Sequence, residues 1–232
     1  MHTAFRDPFI PDGEKSVYTV GLLGEAPGFE MTHLVTREKG GYRTTLDTRP
    51  HGRALTDTDL AMTIEQRFGR IGGRLRAEQY RAETRCGPTV VSREEANFVD
   101  TVHLQFGGLP APFPLNVMPV AGGLTLLRGL DFTEGLVESV SVWLAFSVHW
   151  PLVARVEKQL TVDVPAGSVP CWQVRMRPGF AQVNTLLDKV IGSVLPPFVA
   201  HFEQEAPHRL VRMSFPTQLS LSAPRAVMEL SA

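Results

Sequence analysis

Few residues in this chain carry spacings that could do chemistry. His201, Glu203 and Glu205 alternate, which puts them on one face of an extended strand, and His208 lies just beyond. Imidazole and carboxylate together are a donor set for zinc and other divalent metals, and a metal-activated water would give hydrolysis. The spacing does not match the helical HExxH pattern. Phe198, Ala200 and Phe202 point the other way, so a core built on them leaves the His and Glu side chains toward solvent. That solvated face is the preferred reading, and no metal or cofactor is expected. Cys86 and Cys171 lack CxxC spacing, and a nucleophilic thiol would need a base assembled in space. No GxSxG, P-loop or dinucleotide fingerprint is present.

The remaining candidates suit binding rather than catalysis. Lys158 interrupts an apolar alternation between Val156 and Leu160. It would meet an anionic head group at a pocket mouth, or simply lay its stem on the sheet with the ammonium in water. Arg67, Arg70, Arg74, Arg76, Arg81 and Arg85 form a basic stretch diluted by Glu65, Glu78 and Glu83, for which cross-strand ion pairing is the simpler account. Trp143, Leu144, Phe146, Trp150, Trp172, Phe198 and Phe202 are the residues expected to line an apolar cavity, with Lys158 beside them. Each methylene of an acyl chain buried there would contribute roughly 0.8 kcal/mol.

The elements that must position these residues read as strands. Val140, Val142, Leu144, Phe146, Val148 and Trp150 alternate with polar residues until Pro151. A second row runs from Leu152 to Val164, Pro165-Ala166-Gly167 is a turn, and Trp172, Val174 and Met176 follow. Residues from about 137 to 178 therefore read as a three-strand antiparallel meander. Tyr18–Leu22, Met31–Glu38, Tyr42–Thr48 and Leu60–Phe68 read as earlier strands. Leu75–Thr84 and Thr89–Phe98 pair across Cys86-Gly87-Pro88, and strands resume at Phe198–Glu205, Arg209–Phe215 and near the C-terminus. Val120–Leu130 and Val183–Val194 carry helical spacing.

With 232 residues the chain is long enough for a substantial core, and 43% hydrophobic residues argue against disorder. Lys plus Arg is 23 and Asp plus Glu 24, a net charge of -1 without the basic excess that nucleic acid requires. Thr101–Leu127 lacks charge but carries four prolines and two Gly pairs, which excludes a transmembrane helix. Such a loop packs on the protein or lies over an apolar site. The N-terminus has no secretory apolar run. With Met1 as the native start the chain is expected in the cytoplasm; with a removed leader, in the cell envelope. One β-rich domain over 1–232 is expected, with an extended segment at 1–14 and a Pro-rich loop at 101–119. Its sheet is a single curled antiparallel one, a half-barrel or open barrel with one or two covering helices.

Four short features together resemble a bacterial family known as domain of unknown function 3108. They are Gly13-Glu14 followed by Tyr18-Thr19-Val20; Leu124-x-x-Leu127-Arg128-x-Leu130 with Gly135; Val164-Pro165-Ala166-Gly167 leading into Cys171-Trp172-Gln173-Val174; and Pro207-His208-Arg209-Leu210-Val211-Arg212. The resemblance implies a half-barrel similar at fold level to periplasmic lipoprotein carriers, and it supplies no catalytic residues. The sequence thus reads as a non-enzymatic binder of an apolar or lipid-like small molecule. A metal-assisted hydrolase and a structural or assembly module that binds another protein are the alternatives.

Overall fold

A computed structural model describes residues 4–104, 110–145, 148–179, 196–218 and 223–232. Six strands come first: β1 Glu14–Leu22, β2 Phe29–Glu38, β3 Gly41–Pro50, β4 Leu60–Ile71, β5 Arg74–Cys86 and β6 Thr89–Asn97. Short strands β7 Val102–Leu104 and β8 Pro110–Pro112 pair only with each other, and β9 Val117–Pro119 follows. The second half adds β10 Val137–Ala145, β11 Val148–Val164, β12 Gly167–Pro178, β13 Phe198–Glu203, β14 Leu210–Pro216 and β15 Arg225–Leu230.

Thirteen strands form one sheet in the order β6-β5-β4-β3-β2-β1-β15-β14-β13-β12-β11-β10-β9. The two meanders join where β1 pairs with β15, Tyr18 opposite Leu230. Every pair is antiparallel except β9 with β10. The sheet curls without closing, as expected of a half-barrel. Val142 and Trp143 are neighbours on β10 and so point to opposite faces, yet they are 7% and 3% exposed. Trp143 packs its ring 5.1 Å from Tyr80 of β5 and 5.6 Å from Phe98, and Phe98 in turn meets Phe113 at 5.1 Å. The two ends of the sheet overlap here, and aromatic rings bridge the seam where the described residues show no strand ladder.

The expectation of one or two covering helices is met in number by one short α-helix among the described residues, and is corrected in place. Residues 120–129 form a single short α-helix, Gly123–Leu126, between two 3₁₀ turns. It fills the curl rather than covering it: Leu124, Leu126, Leu127 and Leu130 are all buried in the main core. Gly122 eases its entry, because a Cβ there would crowd Pro119 and Gln66. This is where the last residues of the uncharged stretch go, after its four prolines. The predicted helix Val183–Val194 lies outside the described residues. No helix among the described residues is long and apolar enough to cross a membrane.

The N-terminal segment closes one end of the curl. Phe5 and Ile10 are fully buried. Backbone bonds join Arg6 N to Gly129 O at 2.6 Å, Leu75 N to Phe5 O at 2.9 Å and Asp7 N to Gly73 O at 2.9 Å.

Candidate functional site

The inward faces of β1–β5 line up in rows because directly opposed residues share a face. One row is Ser16, His33, Leu46, Ile64 and Ala82. The next row toward the Leu22 end is Tyr18, Met31, Thr48, Met62 and Thr84. Across β15 Tyr18 faces Leu230, and one step nearer the Leu22 end a further row runs Val20, Met228, Met213, Ala200, Val174 and Val156. At the Glu14 end the helical segment and the N-terminal residues fill the interior. At the opposite end, Val20, Met31, Met62, Leu152, Phe198 and Met213 are only partly buried, although they pack against the core. β12 leaves the sheet at Pro178 and β13 enters at Phe198 at this same end.

A polar hub occupies the filled end. The Arg128 guanidinium is 1% exposed. It donates to both carboxylate oxygens of Glu14, at 2.5 and 3.0 Å, and its Nε donates to the Pro207 carbonyl at 2.8 Å. The Tyr18 hydroxyl donates to the Leu210 carbonyl at 3.0 Å, and burial pushes its pKa up to about 12. His33 is buried beside them. Desolvation first, and the Arg128 charge second, lower its pKa to about 3, so the imidazole is neutral. Phe132 stacks on His208 with centroids 4.2 Å apart and reaches Phe202 at 5.6 Å and Trp172 at 6.5 Å. The four motif segments singled out in the sequence therefore meet around Arg128 and Phe132. His33 Nε2 and Thr125 Oγ1 are buried with no hydrogen-bond partner among the described residues, a pattern that ordered internal water satisfies in folded proteins.

The expected cavity residues fall in different places. Trp143 lies in the seam. Phe202 is fully buried and Trp172, its register partner, is half-buried. Phe198 belongs to the partly buried end, and Trp150 is 38% exposed. Leu144 lies in β10 with its side chain outside the description, and Phe146 is outside the described residues. Lys158 is exposed. A β-bulge between Val156 and Lys158 shifts the register, so Lys158 stands opposite Gln173 on the outer face. Past the bulge Leu160 and Val162 also turn outward, where they pack with Cys171 and Val211 in a small second cluster.

His201, Glu203, Glu205 and His208 do not converge. Glu203 is held by Arg209 at 2.8 Å. His201 Nε2 lies 3.4 Å from Gln173 Oε1, and burial, aided by Arg212, lowers its pKa to about 4. His208 Nδ1 lies 3.0 Å from the Glu203 carbonyl oxygen. Among the described residues no three His, Cys, Asp or Glu side chains group as metal ligands. The basic stretch is neutralised strand by strand, with Arg67 on Glu38 at 2.9 Å, Arg81 on Glu95 at 3.6 Å and Arg85 on Glu83 at 2.6 Å. A recess of about 450 Å³ lies on the β3–β6 side of the sheet and is lined mainly by such charged and amide side chains, among them Arg43, Glu65 and Gln79.

The sequence did not flag Glu14, His33 and Arg128 as site residues. Glu14 and Arg128 stood only within quoted motifs, and a lone His on an apolar face gives no further signal.

No protein-family model matches the chain, and no curated protein does. Among solved structures the chain is similar to a β-barrel-like protein of domain of unknown function DUF1849 from Brucella abortus. The two share 11% identity over 93% of this chain and 94% of that one, with a TM-score of 0.50. It also aligns with a candidate lipoprotein from Parabacteroides distasonis at 10% identity, over 100% of this chain and 99% of that one, TM-score 0.39. A candidate exported protein with a YmcC-like fold from Bacteroides fragilis aligns at 8% identity over 98% of each chain, TM-score 0.34. The likeness is one of fold alone, a curled, β-barrel-like sheet. The resemblance to domain of unknown function 3108 is not carried by any family match.

Proposed function

We propose that this chain is a non-enzymatic binding protein that takes an apolar or lipid-like chain into the open end of its curl. One observation carries the reading. Val20, Met31, Met62, Leu152, Phe198 and Met213 face inward yet stay partly exposed at the end away from Arg128. Interior-facing apolar residues at the mouth of a curled sheet form a ready ligand surface. Methionine suits it further, since its unbranched thioether adapts to chains of varied shape. The filled end would then act as a floor, holding the strands at fixed spacing through Arg128 and Glu14.

Native mass spectrometry of gently purified protein, together with uptake of a fluorescent fatty-acid probe, tests this reading. The expected result is saturable uptake that Phe198→Asp or Met213→Lys abolishes in a folded variant. Absence of uptake by the wild-type protein, or unchanged uptake by both folded variants, would overturn it.

A further inference from the structure

Three turns meet at the filled end of the curl, opposite the proposed mouth: residues 7–12, the β2–β3 turn at Lys39-Gly40 and the β4–β5 turn at Gly72-Gly73. Backbone bonds tie them together, Asp7 N to Gly73 O at 2.9 Å and Arg70 N to Gly40 O at 2.6 Å. The Asp7 carboxylate, 1% exposed, pairs with Arg70 Nε at 2.5 Å. It also accepts the Tyr42 hydroxyl at 2.5 Å and the Phe9 amide at 2.9 Å. The Ile10 amide donates to Tyr42 Oη at 3.1 Å.

Phe9 is the anomaly in this frame. Its φ is 56°, in the left-handed region that a bulky residue rarely adopts. Its ring is 70% exposed, while Phe5 and Ile10 on either side are fully buried. The backbone is thus held in an unfavourable conformation by hydrogen bonds on both flanks, and the result is an aromatic ring in water. Ile71, at the start of the adjoining turn, is 57% exposed. Arg37, near the end of β2, and Lys39, in the β2–β3 turn, are exposed and have no carboxylate partner among the described residues. Of the nearby acids, Asp7 is paired with Arg70 and Glu38 with Arg43 and Arg67, while Asp12 accepts the Arg37 backbone amide and keeps its charge.

We propose that Phe9 and Ile71 are an insertion tip, and that with Arg37 and Lys39 they dock this end of the protein on an anionic lipid surface. An apolar tip beside unpaired cations is the pairing that such surfaces select, because apolar burial and attraction to lipid phosphates add. This docking is independent of the ligand reading, since the two sites lie at opposite ends of the strands.

Co-sedimentation of the full chain with vesicles of phosphatidylglycerol and phosphatidylcholine, against phosphatidylcholine alone, tests it. Wild-type protein is expected to bind the anionic vesicles about tenfold more tightly and to be released by high salt. Phe9→Ser and Lys39→Glu should each weaken binding about tenfold with the melting temperature unchanged. Phe9→Trp should show a blue shift in emission on binding. Failure of the wild type to bind anionic vesicles, or wild-type binding by the folded double variant Phe9→Ser/Ile71→Ser, would overturn the proposal.

Discussion

Arg128 and Glu14 form a two-point ion pair inside the curl, joining residues 114 positions apart in sequence. The guanidinium is almost fully enclosed, so its charge is tolerable only while Glu14 and the Pro207 carbonyl receive it. The pair fastens the short internal helical segment to the first strand and to the turn between β13 and β14.

Breaking that pair should be strongly destabilising. Arg128→Met and Glu14→Gln are each expected to cost about 3–5 kcal/mol, read as a lower urea midpoint at unchanged slope. The double variant Glu14→Gln/Arg128→Met should lose less than the sum, because no unpaired charge then stays buried. Additive losses would show that the two residues act separately.

Stability should fall on acidification through the buried histidines. Folded His33 and His201 have pKa values of about 3 and about 4, below the ordinary 6.5. The unfolded chain therefore binds more protons than the folded one in that interval. Their contribution is complete above pH 6.5 and is lost as pH falls toward 4, at about 1.4 kcal/mol per pH unit for each group. Urea titrations from pH 8 to 4 measure the slope, and His33→Gln should flatten it by about one proton's worth.

Gly129 should tolerate no side chain. A Cβ there would overlap the Arg6 carbonyl, which belongs to the strap that places Phe5 and Ile10 in the core. Gly129→Ala should cost about 1–3 kcal/mol and open the N-terminal segment to limited proteolysis. A variant as protease-resistant as wild type would mean that the strap holds without that contact.

The aromatic seam should be the first part of the sheet to open. Trp143→Ala removes the ring between Tyr80 and Phe98 and should cost about 3–5 kcal/mol. Hydrogen exchange should rise in β5, β6 and β10 before it rises in β1 and β15, whose ladder is intact.

The two thiols should differ in reactivity. Cys171 is buried, and its thiol is pushed up to about 12 by burial, with Glu203 adding to the shift. Cys86 is partly exposed near the Asp57 carbonyl. Alkylation at pH 8 should label Cys86 first and reach Cys171 only as the protein unfolds.

The sequence by itself determined the strands, because period-two alternation leaves one apolar face that must be covered. Tyr18, Met31, Val174 and Met176 turn inward as that alternation requires. It determined the meander from 137 to 178 and the curl, since so many antiparallel strands with one apolar face must roll up. It left open where the uncharged run before Leu127 would go: Val117–Pro119 and Gly122–Leu127 are buried, whereas Val102, Leu115 and Val120 stay exposed. Tertiary structure alone decided what fills the curl. Helical spacing at Leu124, Leu127 and Leu130 does not distinguish a covering helix from an internal one. Only the close approaches of Gly122 to Pro119 and Gln66, and of Gly129 to Arg6, placed it inside. The same holds for Lys158, because a single extra residue at a bulge reverses every later side chain and nothing local announces it. Arg128, Glu14 and His33 became one site through long-range contacts alone. No short window of sequence holds more than one of them, and a buried charge is legible only once its partner is in place.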